Sequence, residues 1–189
     1  MKHITMTMTA DIECEIRSFL SDDDYGRAAG LLGTIGTYEG EDEQMTYYLK
    51  GNGDPDLRIQ RNKTGSKIWM KKGRMHDAAR QEIELPCRSE DFPTLEKLFL
   101  ALGYAVSIKW FRKRRTYKVE DITATLDDTL GYGKILELEI LCREDGRIEA
   151  MRRLEGMMTR LGISPTPKED FDARYGDYER NWRALTGAG

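Results

Sequence analysis

Apolar and polar side chains alternate in six short runs along the chain. In Asp11 to Leu20, the residues Asp11, Glu13, Glu15 and Arg17 share one face while Ile12, Cys14, Ile16 and Leu20 share the other. A period of two predicts a strand. The same alternation returns at Leu57 to Arg61, Lys67 to Lys71, Arg80 to Leu85, Ile122 to Asp127 and Ile135 to Leu141, with turn residues such as Asn62-Lys63-Thr64-Gly65 between several of them. These runs predict a meander of antiparallel strands.

Three other segments carry helical spacing: Leu95, Leu98, Phe99 and Leu102; Ile148, Met151, Leu154, Met158 and Leu161; and Phe171, Tyr175, Tyr178, Trp182 and Leu185. Helices there can cover the apolar faces of the strands. The Gly-rich stretch from Gly26 to Gly40 lacks the Gly-Lys-Ser/Thr ending of a phosphate-cradling loop and follows no clear strand, which argues against that motif. Pro165 and Pro167 sit in a polar stretch that resembles a linker, but the segment beyond them is too short for a second unit. The expectation is one domain over residues 1–189.

Composition narrows the function. The chain has 189 residues, 39% hydrophobic and 33% charged, which supports a globular core and excludes a fibre or a disordered tail. Its 30 Lys and Arg against 33 Asp and Glu leave a formal charge of −3, so no global excess pulls it onto nucleic acid or membrane, and any anion site must be a local concentration. No apolar run reaches roughly 18 residues, and Met1 to Ala10 has no signal-peptide core. A cytoplasmic protein is expected. Cys14, Cys87 and Cys142 are odd in number, far apart and set among apolar residues, as small core residues of a reduced protein would be. With only His3 and His76, a zinc site or a His-centred triad has little to build from.

The polar strand faces hold the chemistry: Glu13, Glu15 and Arg17; Arg58; Lys67 and Lys71; Arg80, Glu82 and Glu84; Arg112 and Arg114; Asp127; Glu137 and Glu139. Such faces also suit plain exposure to water, where a cross-strand ion pair is worth under about 1 kcal/mol. Three Glu-x-Glu pairs nevertheless put two carboxylates about 7 Å apart on one face, at a rise of about 3.3 Å per residue. Gathered together they repel unless cations intervene. Mg²⁺ or Mn²⁺ suits such oxygen donors, with Asp127 beside Glu13, Glu15, Glu137 and Glu139. The Arg and Lys suit a polyphosphate, gripped by guanidinium forks and ammonium point charges.

The order of these motifs resembles the CYTH family of triphosphate tunnel metalloenzymes, which includes class IV adenylyl cyclases, thiamine triphosphatases and inorganic tripolyphosphatases. Glu13-Cys14-Glu15-Ile16-Arg17 resembles the family's opening Glu-x-Glu-x-Lys with Arg in the Lys position. Leu57-Arg58-Ile59-Gln60 resembles its Leu-Arg-x-Arg with Gln60 in place of the second Arg, and Ile68-Trp69-Met70-Lys71 its strand ending in Lys. Arg80-Gln81-Glu82-Ile83-Glu84, the run Arg112 to Tyr117, Leu126-Asp127, the Gly131-Tyr132-Gly133 turn and Glu137-Leu138-Glu139 follow in family order.

By that resemblance the fold is α+β, an eight-stranded antiparallel barrel forming a triphosphate tunnel with helices packed outside. The resemblance implies metal binding by Glu13, Glu15, Asp127, Glu137 and Glu139, catalytic roles for Glu13, Glu15, Arg58, Lys71, Arg112 and Arg114, and substrate binding by Arg17, Arg58, Lys71, Arg80, Arg112 and Arg114. The expected activity is metal-dependent hydrolysis of a small triphosphate or polyphosphate by a monomer or homodimer. Cyclisation of ATP by a class IV adenylyl cyclase is the alternative. A non-catalytic polyphosphate or nucleotide-binding module is a further class, motivated by Arg17 and Gln60. RNA binding through Lys109 to Arg115 would require no metal, and a glycosidase is disfavoured because two glutamates on one strand do not flank a sugar.

Overall fold

The computed structural model of the protein describes residues 12–51, 56–72 and 81–187, giving the backbone but no side-chain environment for Lys71, Lys72, Gln81 and Glu82. Eight strands, β1 (Ile12–Leu20), β2 (Thr37–Lys50), β3 (Asp56–Arg61), β4 (Ser66–Lys72), β5 (Gln81–Cys87), β6 (Ala105–Val119), β7 (Ile122–Thr129) and β8 (Gly133–Cys142), make one antiparallel sheet in the order β1-β8-β7-β6-β2-β3-β4-β5. Four helices accompany it: α1 (Asp22–Ile35), α2 (Phe92–Ala101), α3 (Arg147–Leu161) and α4 (Lys168–Thr186). The six predicted strands and three predicted helices all form. Hydrogen bonding does not close the sheet: β1 and β5 are its edges, and no ladder joins them among the described residues.

Two long strands went unread as elements. In β2 the first half, Glu39 to Gln44, is polar on both faces, and apolar alternation starts only at Met45. Its partner β6 is charged through its second half. Register irregularities between Tyr38 and Gly40 and between Tyr48 and Leu49 interrupt their ladder, and such bulges bend a strand pair and curve the sheet. Helix α1 occupies most of the Gly-rich stretch. Its signal lies at its start, where Ser21 Oγ accepts from the Asp24 N–H at 3.1 Å and Asp22, Asp23 and Asp24 meet the positive end of the helix.

Three apolar clusters fix the helices. On the outer face of β1, β7 and β8, Cys14, Leu126, Leu136, Leu138 and Ile140 pack against Ala28 and Leu32 of α1 and Leu154, Met158 and Leu161 of α3. Helix α2 sets Phe92 and Leu95 against Tyr47, Leu49, Leu57 and Ile59 of β2 and β3. Helix α4 differs, because Phe171, Tyr178 and Trp182 meet Ile108, Trp110, Tyr132 and Ile135. Gly131 allows this approach: its φ of +73° suits glycine, and an added Cβ would lie 2.7 Å from Leu185 Cβ in α4. No helix among the described residues is long and apolar enough to cross a membrane.

Leu154 is fully buried between α3 and the sheet. Leu154→Ala should lower the unfolding free energy by about 2–5 kcal/mol, measured by denaturant titration, through lost burial and the cavity left behind.

Candidate functional site

The inner face of the sheet lines a cavity of about 650 Å³ to which β1 to β8 and α4 all contribute. Alternation decides what enters it. Glu13, Glu15 and Arg17 of β1 and Glu137 and Glu139 of β8 point inward, while their chain neighbours Cys14, Leu136, Leu138 and Ile140 are buried outside. Register places Glu15 opposite Glu139 and Arg17 opposite Glu137. Burial pushes the Glu139 carboxyl up, and the nearby Glu137 and Glu15 charges push it further. This is an acidic wall. Among the described residues, no three such groups converge on a point that could hold a metal ion as they stand.

Guanidinium groups with defined partners continue the lining on β6. Asp127 of β7, 4% exposed, accepts from Arg114 Nε and Nη2, both at 2.7 Å, and from Arg112 Nη1 at 3.0 Å. Arg112 Nε also donates to Gln44 Oε1 at 2.8 Å, and Arg114 Nη2 reaches Glu137 Oε1 at 3.5 Å. Burial alone would raise the Asp127 carboxyl, but Arg112 and Arg114 outweigh it and hold the group below the usual carboxylate range. Burial and then the like charge of Arg114 push Arg112 down. The acid is thus the common counterion of two crowded cations.

Arg58 is seated differently. Its Nε and Nη2 donate to Asp56 at 2.7 and 2.6 Å, and its guanidinium carbon lies 4.4 Å from the Tyr48 ring centre and 4.9 Å from that of Trp69. Next inward on β3, Gln60 is buried and donates from Nε2 to Thr46 Oγ1 at 2.9 Å. Aromatic side chains line part of the cavity: Tyr48, Trp110 and Tyr132 from the sheet and its turn, and Phe171 and Tyr175 from α4. The Arg17 guanidinium carbon sits 5.1 Å from the Phe171 ring centre, and Arg17 Nη2 lies 3.3 Å from Glu15 Oε1.

The structure therefore brings Glu13, Glu15, Arg17, Arg58, Arg112, Arg114, Asp127, Glu137 and Glu139 to one cavity. It sets Asp127 among the arginines rather than on the acidic wall. Arg80 and the side chains of Lys71 and Glu82 lie outside the described residues. Lys113 and Arg115 pair with Glu43 and Glu41, neither of which lines the cavity. Sequence reasoning missed Asp56, Gln44, Thr46 and Tyr48. Asp56-x-Arg58 did carry a signal, since residues two apart in a strand share a face. The inward role of Phe171 and Tyr175 left none, because their spacing is that of any packed helix.

An eight-stranded antiparallel sheet curved around a cavity lined by carboxylates and guanidiniums defines a class of charged-cavity α+β proteins. The CYTH domain model matches residues 11–170, and the chain belongs to the CYTH family. Among solved structures, the PH1012 protein from Pyrococcus horikoshii is 22% identical with a TM-score of 0.69, the match covering 84% of this chain and 96% of that one. A Vibrio parahaemolyticus protein described as a candidate adenylate cyclase is 14% identical, with a TM-score of 0.66 and coverage of 84% and 95%. A candidate adenylyl cyclase from Hippeastrum, described as revealing a dominant triphosphatase activity, is 16% identical, with a TM-score of 0.62 and coverage of 85% and 94%. At these identities the likeness is one of fold. No curated protein matches the chain.

Asp127→Asn should cost up to about 3 kcal/mol at neutral pH, because it removes the buried carboxylate that two half-buried guanidiniums share. The folded carboxyl titrates below its unfolded value, so its contribution is complete above the ordinary range near about 3.9 and is lost as pH falls through the lowered value. Unfolding of wild type and variant across acid pH should show the difference shrinking in that window.

Proposed function

We propose that the protein is a metal-dependent triphosphatase. The observation that carries this reading is one cavity that gathers Glu13, Glu15, Glu137 and Glu139 of β1 and β8 with Arg58, Arg112 and Arg114 of β3 and β6. Acids for cations and guanidiniums for phosphate oxygens match what a metal–triphosphate complex presents. The reading takes the curved sheet as a tunnel, supported by β1, through Glu13 and Glu15, and β5, through Glu84 and Pro86, lining the same space.

The donor set fits a hard divalent ion. Burial first, and then the Glu137 and Glu15 charges, push the Glu139 carboxyl up, and a cation beside it would relieve the charge repulsion. Thr125 Oγ1, opposite Glu137 in the β7–β8 ladder, is buried without a hydrogen-bond partner. In this reading Glu13, Glu15, Glu137 and Glu139 hold Mg²⁺ or Mn²⁺. Such an ion supplies Lewis acidity and neutralises phosphate charge.

The chain's own groups do the rest. Arg112 and Arg114, both bonded to Asp127, present guanidinium N–H groups to phosphate oxygens, with Arg58 on β3 and Lys71 on β4. Water attacks the terminal phosphorus in line with the leaving oxygen, and charge spreads over the equatorial oxygens. Fixed guanidiniums stabilise that charge without reorganising. The dominant triphosphatase activity described for the Hippeastrum relative supports hydrolysis. Cyclisation of ATP is the second reading, favoured by the Vibrio relative's description and by Tyr48, Phe171 and Tyr175, which give the cavity aromatic surface for an organic group.

The test is release of phosphate and of cyclic nucleotide from inorganic triphosphate, thiamine triphosphate and ATP, with Mg²⁺, Mn²⁺ or chelator. Metal-dependent phosphate release is expected, falling at least about tenfold to a hundredfold in a Glu13→Gln/Glu15→Gln variant as metal affinity is lost. Cyclic nucleotide as the main product would replace hydrolysis by cyclisation. No product from any substrate would overturn both.

A further inference from the structure

Five cationic side chains line the cavity among the described residues: Arg17, Arg58, Lys67, Arg112 and Arg114. Arg58, Arg112 and Arg114 are seated on the carboxylates of Asp56 and Asp127, which orient them. Lys67 of β4 is different. Its Nζ lies 2.6 Å from Glu84 Oε1, a carboxylate whose side chain is 43% exposed. A pair this open to water is worth under about 1 kcal/mol and is readily exchanged for a better anion.

Its position in the ladder gives Lys67 a further meaning. Lys67 stands directly opposite Gln60. Gln60 is neutral, buried and occupied with Thr46, so the inward row of β3 beyond Arg58 carries no charge at this level. The ammonium across the ladder supplies one. Lys67 Nζ is 4.3 Å from the centre of the Trp69 ring, and the Arg58 guanidinium is 4.9 Å from the same centre. One indole thus braces two cations, and cation–π contact holds a flexible lysine near a rigid neighbour.

We propose that Lys67 is a phosphate-binding residue of the cavity, carrying on β4 the charge absent at Gln60 and acting beside Arg58 across Trp69. The inference rests on the triphosphate reading above. In the free protein Glu84 holds the ammonium, and a phosphoryl group displaces it.

The measurement is calorimetric binding of inorganic triphosphate in the presence of Mg²⁺ to wild type, Lys67→Gln, Lys67→Arg and Glu84→Gln, with unfolding midpoints as a check on folding. Lys67→Gln should raise Kd about tenfold or more, the loss expected for one charge-assisted hydrogen bond. Lys67→Arg should recover most of that, and Glu84→Gln, which frees the ammonium, should bind at least as tightly as wild type. The inference is overturned if Lys67→Gln binds like wild type, or if Glu84→Gln weakens binding as much as Lys67→Gln, since the two would then form only a structural pair. Absence of binding by wild type itself would instead bring down the triphosphate reading, and this inference with it.

Discussion

One carboxylate serving two guanidiniums governs the concave face. Arg112 and Arg114 lie two apart on β6 with side chains on the same face, where their charges repel in a poorly hydrated space. Only the β6–β7 register, which sets Arg114 opposite Asp127, puts a carboxylate between them. A slip of one residue would turn Asp127 outward and strand both cations. The register depends in turn on the short connection at Glu120 and Asp121, where Glu120 adopts a left-handed φ of 56°. Arg153 of α3 ion-pairs with both turn residues, so the outer helix helps to pin the alignment that the inner face needs.

The same coupling runs along β1 and β8. Cys14 separates Glu13 from Glu15, and Leu138 separates Glu137 from Glu139, and both spacers are buried among α1 and α3. Each inward carboxylate is therefore aimed by an apolar neighbour on the opposite face. Burying Glu139 beside Glu137 and Glu15 costs free energy, as its raised carboxyl reflects. The outer core offsets it, since a fully buried Leu contributes about 1.5–3 kcal/mol. Stability is supplied on one side of the strand and spent on the other.

This division explains what the sequence disclosed. Where one face is apolar and the other charged, as in β1, β7 and β8, alternation is plain and the inward residues can be named. Where one face meets the charged cavity and the other meets water, as in the first half of β2, both faces are polar and periodicity vanishes. Helix α1 was obscured by three glycines within an otherwise amphipathic segment, although Ser21 and Asp24 mark its start. The grouping of Glu13, Glu15, Glu137 and Glu139 was legible from order and spacing. The seating of Asp127 among arginines was not, because strand registers fix it and no local pattern encodes them. Helix α4 was legible as a helix, whereas its contribution to the cavity lining depends on the approach that Gly131 permits.

Charge balance then links the two kinds of ligand in the proposed reading. The described cavity lining carries the five cations Arg17, Arg58, Lys67, Arg112 and Arg114 and the six carboxylates Glu13, Glu15, Glu84, Asp127, Glu137 and Glu139. Those described residues hold no surplus of positive charge for a polyanion. Arg112 and Arg114 already share one acid, so a triphosphate must compete with Asp127 unless the acidic wall is neutralised. In that reading Glu13, Glu15, Glu137 and Glu139 would hold a divalent ion, whose charge would offset the repulsion that they present to an anion. Each ligand therefore strengthens the other by the same free energy, because coupling between two sites is reciprocal. In the proposed reading this coupling favours the metal–polyphosphate complex over either component alone.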